Sequence, residues 1–175
     1  MPRELLILRH AKSDWDCACA GDFDRPLNRR GKRDAPKIGA RLLQEGLVPD
    51  QVVSSPARRA RQTALRVCAA MELPKAQIDW DPQVYEATLS DLLVVLGRCP
   101  PDAVRVLLIG HNPGLETLVE HLCGPELCRP DDDKLLPTGA LARLTMPEHW
   151  APLAAGCANL IDITRARDLQ GTAPQ

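Results

Sequence analysis

Aromatic residues are scarce in this chain of 175 residues, which has three Trp, one Tyr and one Phe. A hydrophobic core must therefore be aliphatic, and the 45% share of hydrophobic residues is enough for a soluble globular protein. The length fits one compact domain. We expect this single domain to span residues 1–175, with a core over about 3–164 and a frayed tail over 168–175.

The chain has no excess of positive charge, because it contains 22 Lys and Arg residues and 23 Asp and Glu residues. A general nucleic-acid-binding or anionic-membrane-binding protein would be clearly basic. Long apolar runs are absent as well: the run at 5–8 is too short for a signal peptide, and the run at 104–109 is too short to span a membrane. We therefore expect a cytoplasmic protein that binds neither nucleic acid nor membrane, with a monomer slightly favoured over an oligomer.

The seven cysteines show no pairing pattern, since their number is odd and their spacing irregular. In a chain without an export signal, free thiols are expected. Cys17 and Cys19 form a close pair, but no second pair follows at the spacing of a zinc site. We predict no metal and no cofactor.

Short apolar runs alternate with amphipathic stretches along the chain, which favours βα units and an α/β fold with a mostly parallel central sheet. Proline after a capping residue predicts helix starts at Ser55 and Asn112, and Ser90 is a candidate N-cap for another helix. A helix over 29–43 contains Pro36, where we expect a kink or a restart. The predicted strands are 4–8, 52–53, 104–109, 141–146 and 160–163, and 124–137, with three aspartates at 131–133, is a predicted loop.

Four residues with catalytic potential follow three of these strands. Arg9 and His10 come after the first strand, Arg59 lies just inside the helix after the second, and His111 follows the third. The carboxyl ends of parallel strands form the ligand crevice of an α/β sheet. Guanidinium groups and helix N-termini suit phosphate oxygens, and a neutral imidazole can attack phosphorus. Each residue alone is more often structural or solvent-facing; the combination favours a phosphoryl-transfer site that works without a metal.

Three segments, taken in order, resemble the motifs of the histidine phosphatase superfamily. LRHAKS at 8–13 is similar to its Arg-His-Gly signature, SSPARRARQT at 54–63 to its second motif, and GHNPG at 110–114 to its third. With DRPLN at 24–28, the resemblance is to SixA-type phosphohistidine phosphatases and covers about 3–164. It implies a three-layer α/β/α sandwich of the phosphoglycerate mutase-like kind.

The resemblance also implies roles for particular residues. It makes His10 the nucleophile, and Arg59 matches the family better than Arg58 or Arg61 because Ala60 follows it directly. The implied phosphate pocket is Arg9, Arg59 and His111, with Ser13 and Asn112 beside the phosphate.

Two features depart from the family pattern or are left open by it. Ala11 replaces the usual glycine after the nucleophile, which costs little where φ is negative. Relatives that cleave phosphomonoesters use a carboxylic acid to protonate the leaving group, and Glu86, after Tyr85, is the candidate here. The alternative for Glu86 is a surface residue in a loop.

The function we predict is hydrolysis of a phosphoryl group through a phosphohistidine on His10, with phosphohistidine of a signalling or phosphotransfer protein as substrate. A broad small-molecule phosphomonoesterase and a catalytically idle phosphate-binding module are the alternatives. Hydrolysis is favoured over mutase chemistry because few residues between Arg59 and His111 remain for a lid that would keep water out.

Overall fold

The computed structural model describes residues 2–125, 127 and 134–170. A six-stranded sheet runs through the molecule in the order β3-β2-β4-β1-β5-β6. β5 is antiparallel to both of its neighbours, and every other neighbouring pair is parallel. The prediction of a mostly parallel sheet is thus confirmed. The strands are β1 Arg3–Arg9, β2 Gln51–Ser54, β3 Ile78–Trp80, β4 Arg105–Gly110, β5 Ala140–Met146 and β6 Asn159–Arg165.

Helices cover both faces of this sheet. Successive residues of β1 point to opposite faces, so Leu6 and Leu8 belong to one apolar cluster while Leu5 and Ile7 belong to another. The first cluster includes residues of α1 and α2, and the second includes residues of α3 and α4. The result is the three-layer α/β/α sandwich that the resemblance implied. The helices are α1 Arg29–Gln44, α2 Arg58–Ala70, α3 Leu89–Gly97 and α4 Gly114–Cys123.

Both helices predicted to begin at a proline start later than expected, α2 by two residues and α4 by one. α2 begins at Arg58, and the Ser55 hydroxyl accepts a hydrogen bond from the Ala57 N–H in a turn before the helix. α4 begins at Gly114, and the side chain of Asn112 donates to a loop carbonyl instead of capping. The side chains predicted as caps are therefore used for contacts at the site described below.

Two other helix predictions also need correction. The N-cap of α3 is Thr88, not Ser90. The Thr88 hydroxyl accepts from the Asp91 N–H and the Asp91 carboxylate accepts from the Thr88 N–H, so this capping box satisfies two backbone donors at once. α1 is one continuous helix through Pro36 and shows no restart; Asn28 caps it by accepting from the Gly31 N–H.

The end of the described chain is more ordered than predicted. Ala166–Asp168 forms a 3₁₀ turn, and Leu169 packs against the α1/α2 side of the core. The prediction of a frayed tail from Asp168 is therefore wrong at its start, while residues 171–175 lie outside the described residues, as do the aspartates at 131–133. Within the described residues, no helix is long and apolar enough to cross a membrane.

One pair of cysteines differs from the prediction that all the thiols are free. Cys17 and Cys19 are joined as a disulfide in the segment between β1 and α1, so the prediction of free thiols is wrong for these two residues. Four further described cysteines are free, namely Cys68, Cys99, Cys123 and Cys157.

Candidate active site

A cavity of about 460 Å³ opens at the carboxyl ends of the central parallel strands. Of the seven residues predicted for the site, six line this cavity and Ser13 does not. Its hydroxyl instead accepts a hydrogen bond from Arg25, which does line the cavity. The six are Arg9, His10, Arg59, Glu86, His111 and Asn112.

His10 presents one ring nitrogen to this cavity. Its Nδ1 lies 2.7 Å from the Ala11 carbonyl oxygen, and a carbonyl oxygen only accepts, so Nδ1 carries the hydrogen and Nε2 keeps a lone pair. The side chain is 5% exposed. Burial lowers the pKa of His10 well below its ordinary value of 6.5, and the charges of nearby Arg59 and Arg9 act in the same direction. The ring is therefore neutral and nucleophilic at neutral pH.

The backbone after His10 is held by two helices. The Ala11 N–H donates to Thr63 Oγ1 on α2 at 3.0 Å. At the start of α1, a Cβ on Gly31 would lie only 2.1 Å from the Lys12 carbonyl oxygen, so that position needs glycine. These contacts fix the path of the backbone next to His10 and so help to set the direction in which its imidazole points.

Arg59 connects His10 to a carboxylate on the facing segment. Its Nε lies 3.3 Å from His10 Nε2, its Nη1 donates to the Asp22 carbonyl oxygen at 2.6 Å, and its Nη2 donates to Asp22 Oδ2 at 2.9 Å. Arg59 is buried, whereas Arg58 and Arg61 are exposed. The structure thus brings Arg59, and neither neighbouring arginine, beside His10.

His111 faces His10, with ring centroids 5.2 Å apart. Its Nε2 lies 2.8 Å from Ser55 Oγ, which already accepts the Ala57 N–H and can donate its own hydrogen to the imidazole. In that arrangement Nδ1 carries the ring hydrogen, and Nδ1 is buried without a hydrogen-bond partner among the described residues. Burial, followed by the charge of Arg59, lowers the pKa of His111 to about 3. His111 is therefore a neutral hydrogen-bond donor.

Arg9 and Asn112 are tied to the same backbone group. Arg9 Nη1 donates to the Leu136 carbonyl oxygen at 3.0 Å, and Asn112 Nδ2 donates to it at 2.8 Å. Glu116 accepts from the Leu136 N–H at 2.8 Å. Arg9 Nε and Asn112 Oδ1 are buried with no hydrogen-bond partner in the described structure. The segment around Leu136 therefore positions Arg9 at the cavity wall.

Four polar or aromatic residues of the cavity wall were not predicted from the sequence, namely Trp15, Asp22, Arg25 and Tyr85. Asp22 accepts from Arg59, from Arg25 Nη2 at 3.0 Å and from Tyr85 Oη at 3.0 Å. Partial burial favours its protonated form, but the hydrogen bonds from Arg25 and Tyr85 and the charge of Arg59 outweigh it and lower the pKa to about 2. Asp22 is therefore ionised at neutral pH. The 24–28 motif gave a signal for Arg25, but nothing in the sequence marked Asp22.

Glu86 lies at the cavity wall in an uncommon backbone conformation. Its φ is 52°, in the left-handed region that few residues other than glycine adopt. The next residue, Ala87, packs against the start of α4, where a Cβ on Gly114 would lie 2.6 Å from the Ala87 carbonyl oxygen. Glu86 lines the cavity together with His111 and Asn112. Backbone strain of this kind is concentrated at functional sites.

The assembled residues can bind an anion and attack it. Three guanidinium groups line the cavity with the two histidines, and the lone pair of His10 Nε2 accepts from Arg59 Nε there. A phosphoryl group that took over this arginine would lie beside the nucleophilic nitrogen. Among the described residues, no cluster of three or more His, Cys, Asp or Glu side chains could hold a metal ion.

The sequence was compared with models of known protein families. A family model described as the histidine phosphatase superfamily (branch 1) matches residues 5–92, about half of the chain. The chain belongs to this superfamily.

Similarity to individual proteins extends beyond residue 92 of this chain. A protein of Mycobacterium tuberculosis is 30% identical over 88% of this chain and 96% of its own length. A chloroplastic protein of Arabidopsis thaliana is 32% identical over 71% of this chain, which spans only 61% of that longer relative.

A solved structure gives the subgroup. The SixA protein of Agrobacterium tumefaciens, described as a candidate phosphohistidine phosphatase, matches with a TM-score of 0.79 and 29% identity. The match covers 94% of this chain and 98% of that one. The chain is thus a SixA-type member of the histidine phosphatase superfamily with a phosphoglycerate mutase-like fold, as the resemblance implied.

The two histidines of the cavity predict that this SixA-type protein loses stability in mild acid. An unfolded chain binds protons at histidine from pH 6.5 downwards, whereas folded His10 and His111 stay neutral well below that pH. The unfolded state then binds more protons, so stability falls as pH falls, by about 1.4 kcal/mol per pH unit for each histidine. Urea unfolding at pH 7 and pH 5 should differ by roughly 4 kcal/mol.

Single substitutions of histidine test which residues cause this pH dependence of stability. His111→Gln should retain only about half of the pH 7 to pH 5 difference, because one of the two titrating groups is gone. His149→Gln is the matched control, since His149 is exposed, and it should retain the full difference. If His111→Gln keeps the full change in unfolding free energy between pH 7 and pH 5, His111 does not stay neutral at pH 5 in the folded protein.

Proposed function

We propose that this superfamily member is a phosphatase that hydrolyses phosphohistidine on a protein substrate through a covalent intermediate on His10. The observation that carries the proposal is the neutral, buried imidazole of His10, whose Nε2 lone pair lies 3.3 Å from Arg59 Nε inside an arginine-lined cavity. A phosphoryl group bound by Arg59 and Arg9 would lie against this nitrogen.

The reaction has two steps. His10 Nε2 attacks phosphorus, the bond from phosphorus to the substrate imidazole breaks, and that imidazole keeps the bonding electron pair. Water then attacks the phosphoryl group on His10 and releases inorganic phosphate, with His10 regenerated. The Ala11 carbonyl, which accepts the Nδ1 hydrogen at 2.7 Å, stabilises the positive charge that develops on the ring as Nε2 forms its bond.

Hydrogen-bond donors around the cavity stabilise the phosphoryl oxygens. Arg59 contributes a fixed fork of donors, and His111 contributes its Nδ1 hydrogen without adding charge. Two Arg59 nitrogens donate to Asp22, one to its backbone carbonyl and one to its carboxylate, so an incoming phosphoryl oxygen must share these donors or displace Asp22 from them.

The protonation states at the cavity favour a leaving group that needs little acid catalysis. Of the two carboxyl groups that line the cavity, Asp22 is ionised at neutral pH because its pKa is about 2. A phosphohistidine ring that is protonated on its other nitrogen leaves as a neutral imidazole, whereas an aliphatic ester must release a strongly basic alkoxide unless an acid protonates the ester oxygen. Phosphohistidine therefore fits the site better than an aliphatic phosphoester.

The cavity position of Glu86 favours a second candidate function, a phosphatase for small phosphomonoesters. Wild-type protein and a His10→Ala variant should be tested with phosphoramidate, a phosphohistidine-containing protein and p-nitrophenyl phosphate. Hydrolysis of the phosphohistidine protein with a higher kcat/KM than the ester supports our proposal. A preference for the ester would favour the phosphomonoesterase, and binding of phosphate without any turnover would favour the idle binding module.

Glu86→Gln tests whether this carboxyl group protonates an ester oxygen. General acid catalysis contributes about 100-fold or more, so kcat/KM for phosphoserine should fall by about that factor. Hydrolysis of phosphohistidine should change by less than about threefold, since its leaving group needs no such acid. Steady-state kinetics on both substrates measure the difference.

Glu72→Gln is the matched control for the backbone. Glu72 is exposed and also has a positive φ, 61°, but it does not line the cavity. Equal losses on both substrates in Glu86→Gln would contradict a general acid role and indicate that Glu86 only supports the cavity wall.

A further inference from the structure

Three of the five aromatic residues in this chain gather at the cavity. Trp15 and Tyr85 line it, and Phe23 packs edge-on against Tyr85 with ring centroids 5.1 Å apart. Tyr85 in turn packs edge-on against His111 at 5.5 Å. In a chain so poor in aromatic residues, this gathering gives the cavity a wall unlike the rest of the molecule.

Trp15 is the exposed member of this wall. It is 72% exposed, whereas Trp150 is 4% exposed and Trp80 is half-buried. A tryptophan gains most of its stabilising energy from burial, so an indole left open at a cavity mouth stabilises the fold little. Its ring surface is available to a ligand in the cavity.

The orientation of the indole is set by a buried arginine. The guanidinium carbon of Arg25 lies 3.7 Å from the centre of the Trp15 ring. Arg25 is itself held by hydrogen bonds to Ser13 and Asp22. One face of the indole is thus stacked on a fixed cation, and this makes the ring a rigid surface at the cavity mouth.

We infer that Trp15 and Tyr85 form a leaving-group subsite that selects substrates whose phosphoryl group is attached to a planar aromatic ring. The inference rests on the proposed function in one respect, namely that the phosphoryl group binds at His10 and Arg59. The imidazole of phosphohistidine is such a ring. An aliphatic leaving group offers no face to stack on the indole.

The size of the cavity agrees with a two-part site. A volume of about 460 Å³ falls in the range of clefts that hold whole small molecules, which is more than a phosphoryl group alone requires. The phosphoryl end is bound by charge, and the ring end is bound by stacking. Stacking of a planar base on an aromatic side chain changes affinity by about tenfold or more.

Two non-hydrolysable ligands test the subsite without relying on catalysis. Phenylphosphonate and cyclohexylphosphonate carry rings of equal atom number, of which only the first is planar. Calorimetric titration, at a pH where both are dianions, should show wild-type protein binding phenylphosphonate about tenfold more tightly. Trp15→Leu should abolish this preference, and Trp15→Phe, which keeps an aromatic face, should retain it within about threefold.

Two results would overturn the inference: equal affinities of the wild type for both phosphonates, or an unchanged preference in Trp15→Leu. Loss of affinity for both ligands together in Trp15→Leu would also overturn it, because that pattern means that Trp15 acts only by holding Arg25. Turnover of a phosphohistidine protein, measured in parallel on the wild type, reports on the proposed function separately, since the phosphonate preference does not require catalysis.

Discussion

Replacement of His10 by alanine is expected to lower kcat/KM for every substrate by at least about 1,000-fold, because the variant has no group that can form the covalent intermediate. Wild-type protein mixed with phosphoramidate should yield a phosphoryl-enzyme that is labile in acid and stable in base. The variant should yield none. Rapid-quench labelling followed by mass spectrometry measures both the amount and the position of the phosphoryl group.

The binding of anions by the His10→Ala variant should survive, since Arg9, Arg59 and His111 are untouched. His149→Ala, which removes an exposed histidine, is the matched control and should leave turnover unchanged. Turnover that persists in His10→Ala, or labelling at another residue, would exclude the covalent mechanism that we propose.

Arg59→Lys is the second change expected to have a large effect, about 100- to 1,000-fold on kcat/KM. One guanidinium reaches His10 Nε2, the Asp22 carbonyl and the Asp22 carboxylate at the same time. A lysine ammonium is a point charge on a flexible stem and cannot reproduce this planar fork. The phosphoryl group would therefore lose both a bidentate partner and its alignment with the imidazole. Steady-state kinetics with phosphohistidine measure the loss.

Two neighbours on the same helix are controls for Arg59→Lys. Arg58→Lys and Arg61→Lys conserve charge at exposed positions outside the cavity, and each should change kcat/KM by less than about twofold. A similar, small effect for all three variants would show that Arg59 does not bind the phosphoryl group, and would leave its contact with Asp22 as a purely structural ion pair.

Much of the site could be predicted because its residues belong to short, local patterns. His10 and His111 come directly after apolar strands, and parallel strands placed side by side bring their carboxyl ends together. The resemblance to the family motif, in which alanine follows the arginine, implied Arg59 and not its neighbours, and the structure brings this arginine beside His10. In each case the decisive information lay within a few residues of the site.

The predictions that needed correction involve side chains with two possible partners. Ser55 and Asn112 carry the usual signals of a helix N-cap, yet their side chains bond His111 and Leu136 instead. Ser13 was expected beside the phosphate, and its hydroxyl instead holds Arg25. A local pattern shows that such a side chain can form a hydrogen bond, but it does not show which of several distant groups will be in reach.

The sequence by itself determined the alternation of strands and helices and the mostly parallel sheet, because strand burial and helix amphipathicity depend on neighbouring residues. It also marked four residues that share one cavity, since their motifs are short and local. Only the tertiary structure placed Trp15, Asp22 and Arg25 at the cavity. Their segment has no hydrophobic period, and its position is set by bonds from Asp22 to Arg59, 37 residues away, and to Tyr85, 63 residues away. Contacts between residues so far apart in sequence form only when the packing of helices on the sheet brings their loops together.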